Sequence, residues 1–354
     1  MLTIPLQIVK EIQRAQAAVD LHRHLQAAIE LEHSTIPPYL TAMYSIKQGY
    51  NQEAYRIIRS VVVEEMLHMV VAANVLNAIG GHPIVNRPDF IPSYPGPLPM
   101  NVGHGLQVGL AALSKEVLWE TFVAIEKPDN PQDFPRFTME ALRDGEEGYA
   151  TIGDFYQAII AKIEELGEAI FTGDPSLQIT NEQWFPASEL FPILDVKTAI
   201  RALTLIVEQG EGLPEGKPVD PEGNLAHYYR FLSIYYGKQL VKDPSVPEGY
   251  SYSGTPIPFE EDGIWNLVTN SKANDYSPGT KARRLVDQFN VSYTSLLNSL
   301  HDTMNGNPNG LNQAMGLMYD LKLQAQHMVE IELTSGRRVS PSFEYATVNA
   351  PVMV

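Results

Sequence analysis

Apolar residues recur through the N-terminal part of the chain at alternating steps of four and three, the interval that lines up one face of an α-helix. Over residues 18–48 the stripe runs Leu25, Ile29, Ile36, Tyr39 and Met43, and Glu32 fills the slot between Ile29 and Ile36. Over residues 51–79 it runs Ala54, Ile58, Val61, Ala72, Val75 and Ile79, with Glu65 and His68 in the two slots between Val61 and Ala72. The pattern predicts two long helices. The second is stopped by Gly80, Gly81 and Pro83, and the short joint between them makes them antiparallel neighbours. Pro37 and Pro38 predict a kink one turn past Glu32, because proline removes a backbone donor and crowds the preceding turn. A carboxylate in an apolar slot has to be neutralised, paired or bound to a metal.

Beyond residue 80 the pattern loosens. Residues 81–105, rich in proline, glycine and aromatic side chains, read as an irregular crossover, followed by a short helix over 114–126 that ends at Lys127-Pro128. A third long helix is expected over about 147–171, with Ile152, Phe155, Ile159, Ile163, Leu166 and Ile170 on its main stripe. A second stripe of small residues, Ala150, Ala158 and Ala161, contains Asp154. Residues 195–210 and 224–241 read as a fourth helix interrupted by a proline, glycine and acid insertion. Two more helices follow at about 278–304 and 310–333, joined by the turn sequence NGNPNG, before an extended tail expected to run along the surface. A long crossover between the second and third long helices is ferritin-like connectivity. The fold class expected is therefore all-α, a ferritin-like four-helix bundle over 1–242, with its crossover at 81–146 and a C-terminal helical extension over 243–354 packed on it as one structural domain.

Composition narrows the chemistry. The chain has 354 residues, 25 basic against 42 acidic, and a formal charge of -17, which repels nucleic acid and anionic membrane surfaces. It has no cysteine, so thiolate zinc sites, iron-sulfur clusters and cysteine nucleophiles are excluded, and any metal must be held by oxygen and nitrogen. No signal peptide or membrane span is read from the sequence, and a soluble cytoplasmic protein is expected. Glycine-rich phosphate loops and nucleophile elbows are missing, which leaves kinase and hydrolase readings without support.

Glu65 and His68 are three apart and project from one helical face, so they can reach one ion together, with Glu32 as a third ligand from the neighbouring helix. The pair Glu30 and His33 has the same spacing but lies off the stripe and reads as surface. Two divalent ions at close range require roughly four carboxylates, so a facing acid and histidine set is needed. Glu208 and Glu211 with His227 form the downstream set in the right helix order. From the third helix Asp154 is the expected ligand, with Glu147 and Glu165 as alternatives. Structural or solvent-facing roles are expected for Glu116, Glu120 and Glu126 on the short crossover helix, and for His22, His24, His82 and His104. His301 and His327 lie away from the seam, and the tyrosines at 228, 229, 235 and 236 read as core packing.

Several segments together resemble the iminophenyl-pyruvate dimer synthase family of ferritin-like proteins, in the form of a stand-alone bacterial member. They are Glu30-Leu31-Glu32 with Thr35 through Leu40, Glu64 through Met69, Ile125 through Pro128, Ile152 through Tyr156, Glu208 through Gly212 with His227-Tyr228, and Phe343-Glu344-Tyr345. The resemblance implies metal ligation by Glu32, Glu65, His68, Glu208 or Glu211, and His227, and a link to bisindole pigment pathways in which an imine of an aromatic 2-oxo acid is dimerised. Asp154 stands where that pattern has glutamate, one methylene shorter. The functional expectation is a non-haem dinuclear oxidase or oxygenase that uses two iron ions, or manganese, with dioxygen and a small organic substrate, and that can form a homo-oligomer. A ferroxidase or iron-handling protein is the first alternative. A binding or scaffold protein with a structural or lost metal site is the second.

Overall fold

Where the stripes predict helices, helices form. The computed structural model describes residues 4–103, 105–128, 131–132, 134, 152–180, 183–213 and 217–346. Its helices are α1 (Leu6–Gln13), α2 (Ala18–Tyr44), α3 (Gln52–Ala78), α4 (Lys115–Val117), which runs on into a π-helical turn (Leu118–Val123), α5 (Ile152–Leu166), α6 (Val196–Glu211), α7 (His227–Tyr236), α8 (Lys281–Met304) and α9 (Leu311–Val329). A two-residue ribbon, β1 (Val241–Lys242) against β2 (Tyr250–Ser251), is the strand pairing among the described residues. The fold is all-α. The expected start of the third helix at 147–151 lies outside the described residues, as do Glu147, His104 and the last eight residues of the tail.

α2 and α3 pack along their full lengths. α5 and α6 pair with each other and close the other side of the seam, while α7 packs on the π-helical turn and on α3. Helix ends are fixed locally. Asp195 and Thr198 cap α6 reciprocally, with Thr198 N donating to Asp195 Oδ1 at 2.7 Å and Asp195 N to Thr198 Oγ1 at 3.1 Å. α3 is long and apolar enough to cross a membrane, but 83% of its apolar window is buried inside the protein, as expected of a central core helix.

α2 runs as one helix through Pro37 and Pro38. Pro38 has no N–H for the carbonyl of Ser34 four residues back, and the Tyr94 hydroxyl donates to that carbonyl at 2.8 Å instead. The crossover thus repairs the helix it covers. α8 and α9 form a hairpin over the outer side of α2 and α3. This changes two expectations. His33 is buried, with Nε2 at 2.7 Å from the Tyr293 hydroxyl and its ring 4.4 Å from that of Phe90, because α8 and the crossover cover the face of α2 that the sequence left to solvent. The tail from Val339 to Phe343 is buried rather than superficial, with Phe343 edge-on to Phe289 and Tyr293.

The segment after β2 also docks at the α2–α3 joint. Asn51, at the start of α3, exchanges two hydrogen bonds with the backbone of Glu260, at 2.9 and 2.8 Å, and Lys47 N donates to Gly263 O at 2.8 Å.

Candidate metal centre

Five side chains converge inside the bundle. Glu32 comes from α2, Glu65 and His68 from α3, Glu126 from three positions past the π-helical turn, and His227 from the first position of α7. They form two groups with mutually close ligand atoms, Glu32 with Glu65 and His68, and Glu65 with Glu126 and His227. Glu65 belongs to both. The two imidazole rings face each other at 5.5 Å.

Each carboxylate has one oxygen held by a hydroxyl and the other turned toward a histidine. Tyr156 donates to Glu32 Oε1, and Glu32 Oε2 lies 3.4 Å from His68 Nδ1. Thr35 donates to Glu65 Oε2 at 3.0 Å, and Glu65 Oε1 lies 2.8 Å from His227 Nδ1. Tyr39 donates to Glu126 Oε1 at 2.5 Å, and Glu126 Oε2 lies 3.5 Å from His227 Nδ1. Burial first, then the nearby carboxylates, push both tyrosines well above their ordinary range, so they stay protonated donors.

The histidines follow the same plan. His68 Nε2 is 2.9 Å from Gln209 Oε1 on α6, and His227 Nε2 is 2.9 Å from Glu64 Oε2. With the outer nitrogen turned to these acceptors, Nδ1 of each ring faces the centre; burial opposes a charge on the rings, but the surrounding carboxylates outweigh it and raise both imidazoles, His227 well above its ordinary range. Glu64 is held in turn by Arg230, Nη1 to Oε1 at 2.6 Å. Burial opposes its ionisation, but His227 and Arg230 hold it at about 2.

As a metal-free set these groups are in conflict. Burial, together with the charge of Glu126, lifts Glu65 to about 7. Burial also opposes the charge on Glu32, though the hydrogen bond and charge of His68 outweigh it and keep the acid below its usual range. His227 Nδ1 is fully buried and makes no hydrogen bond of proper geometry despite its closeness to Glu65. Three carboxylate oxygens and two imidazole Nδ1 atoms aimed at one space fit divalent cations, which would take the place of the Nδ1 protons. Beside them lies a cavity of about 50 Å³, lined by Ile125, Lys127, Ile152, Val207 and Glu211 among others. That volume holds a few waters by the measure in which one needs roughly 10–15 Å³.

The other sequence candidates fall differently. Glu211 lines the cavity as a fourth carboxylate, lying against Gly153, where an added Cβ would come within 2.9 Å of its Oε2. Glu208 is turned away. It is half-buried, and burial followed by the charges of Glu222 and Asp220 raises its carboxyl. Asp154 is exposed, two residues and half a helical turn from Tyr156, which occupies the inward position on α5. Glu165 is exposed and pairs with Lys162 at 2.6 Å. His227 does not continue α6. The loop before it closes on itself, with Ala226 N donating to Pro218 O at 2.9 Å, and α7 starts afresh.

Glu126 is the converging residue that the sequence reading left to solvent, although it stands four residues after the buried Phe122 and eight after the buried Leu118, on the inward side of that helix. Gln209 could have been found, since it continues the buried stripe Ala199, Ala202 and Ile206 of α6, as Glu32 does on α2.

A family model described as ferritin-like matches residues 25–236, more than half of the chain and the stretch that carries all five converging residues. Among solved structures, a ferritin-like protein from Caulobacter vibrioides is similar to this chain with a TM-score of 0.58 at 21% sequence identity, over 92% of this chain and 97% of that one. At that identity the likeness speaks for the fold. No curated protein sequence matches the chain significantly. With the matched stretch and the bundle in agreement, the chain belongs to the ferritin-like family.

Proposed function

We propose that the protein is a non-haem dinuclear metal oxidase or oxygenase, with iron as its metal and manganese served by the same donors. The observation that carries this reading is the pair of carboxylate and histidine groups sharing Glu65, with both Nδ1 atoms facing inward. Glu32 and His68 would hold one ion, Glu126 and His227 the other, and Glu65 would bridge. With Glu211 at the cavity wall, four carboxylates match the charge of two divalent ions. Such ions, when bound, supply redox chemistry with dioxygen.

The chain's own residues fix the rest. Thr35, Tyr39 and Tyr156 keep the three carboxylates in register, and Gln209 and Glu64 set the tautomers of the two histidines. Ile125, Ile152 and Val207 give the cavity apolar walls, while Lys127 offers one cation suited to the carboxylate of a small organic acid. An aromatic 2-oxo or imino acid, the substrate class implied by the resemblance, fits that chemistry. Dioxygen uptake by the iron-loaded protein should rise on adding such an acid and should fall back in Lys127→Ala. Uptake indifferent to every organic acid tried, with iron oxidised in its place, would favour the second reading, an iron-oxidising protein, for which the small cavity speaks.

A further inference from the structure

A second cavity, which shares no lining residue with the one at the metal centre, lies between α2, α3 and α9. It encloses about 370 Å³, in the range of small-ligand sites. Each helix presents one face to it at helical spacing: Leu40, Met43 and Tyr44 from α2; Arg59, Val62, Val63 and Met66 from α3; Met315, Met318 and Lys322 from α9. Four of the chain's 11 methionines line it. Thioether side chains make an apolar wall that adapts to its occupant. The cavity adjoins a smaller pocket of about 60 Å³, with which it shares Leu40, Tyr44, Met66 and Met318.

Its mouth is cationic. Arg56, Arg59 and Lys322 rim it, and Arg56 and Lys322 also line an adjoining outer cleft with Lys47. Arg56 is engaged by Glu53 at 2.9 Å, and Lys322 lies over the Tyr55 ring, whereas Arg59 has no hydrogen bond or ion pair among the described residues. Among the described residues no aspartate or glutamate lines the cavity, the smaller pocket or the cleft. In a chain with 42 acidic residues against 25 basic ones, an apolar hole whose charged lining residues are Arg56, Arg59 and Lys322 suits an anionic occupant.

We propose that this cavity binds a single-chain aliphatic carboxylate, with the head group at Arg59 and Lys322 and the chain running inward between Met66 and Met318. The site is separate from the metal centre and does not depend on the function proposed for it. The test is calorimetric titration of the whole protein with decanoate, decanol and decyltrimethylammonium. Decanoate should bind one per chain, decanol about tenfold more weakly or worse, the difference of roughly 1.4 kcal/mol that one charge contact supplies, and the cationic amphiphile not at all. Arg59→Gln combined with Lys322→Gln should reduce decanoate to the level of decanol while leaving decanol unchanged, which also shows that the variant is folded. Met318→Trp, which fills the cavity, should abolish both. Equal binding of decanoate and decanol, or no binding of decanoate at millimolar concentration, overturns the proposal. So does light scattering that shows a dimer dissociated by Tyr319→Glu, since a second copy would then cover the mouth.

Discussion

Glu65 is the residue on which the centre turns, because it is common to both groups and because burial, with the charge of Glu126, lifts its carboxyl to about 7. Glu126 belongs to one group only, so Glu126→Ala should reduce bound iron from two ions to one per chain, while Asp154→Ala, at an exposed position, should leave it at two. Metal analysis after gel filtration reads both. Gln209→Leu removes the acceptor that orients His68 and should weaken metal binding by about 10–100-fold, the usual cost of losing an outer partner, without loss of helicity. His33 gives a prediction independent of metal. Burial holds its folded pKa at about 3 against 6.5 for the exposed ring. Below pH 6.5 the unfolded chain takes up a proton that the folded chain refuses, so stability falls as pH drops from 6.5 toward 3. Between pH 7 and 5 this amounts to about 2 kcal/mol, and His33→Gln should lose that much less in denaturant melts over the same interval.

At the scale of elements, legibility in the sequence tracked regular periodicity. The α2 and α3 stripes placed Glu32, Glu65 and His68 because nothing in those helices breaks the repeat on the way to the site. The short crossover helix has too few turns to define a stripe, so Glu126, four residues after the buried Phe122, was left to solvent. The count of small residues also misled on α5, where Asp154 and Ala161 are exposed and Tyr156 faces the centre. Burial of His33 and of the tail was illegible for another reason, since both depend on where α8 and α9 dock, a contact between segments far apart in sequence. α5 and α6 meet at Gly153, whose missing Cβ gives the Glu211 carboxylate its place. Gly153→Ala should therefore weaken metal binding while stabilising the metal-free protein by up to about 1 kcal/mol through helix propensity. Competition titration against a chromogenic chelator and denaturant melts of the metal-free form separate the two effects.

For the whole molecule, the centre ties α2, α3, the crossover and α7 together through five side chains. Bound metal should thus act as a staple on the fold. Removing it with a chelator should lower the melting temperature, since a ligand at about a thousand times its Kd adds about 4 kcal/mol per site. Glu65→Ala should melt at the same temperature with and without metal. The central claim is that two ions share this site, and elemental analysis of anaerobically purified, iron-reconstituted protein tests it most directly. The geometry predicts two irons per chain in the native protein and none retained in Glu65→Ala of unchanged helicity. A folded native protein that retains no metal, or a Glu65→Ala variant that still holds two ions, would contradict it.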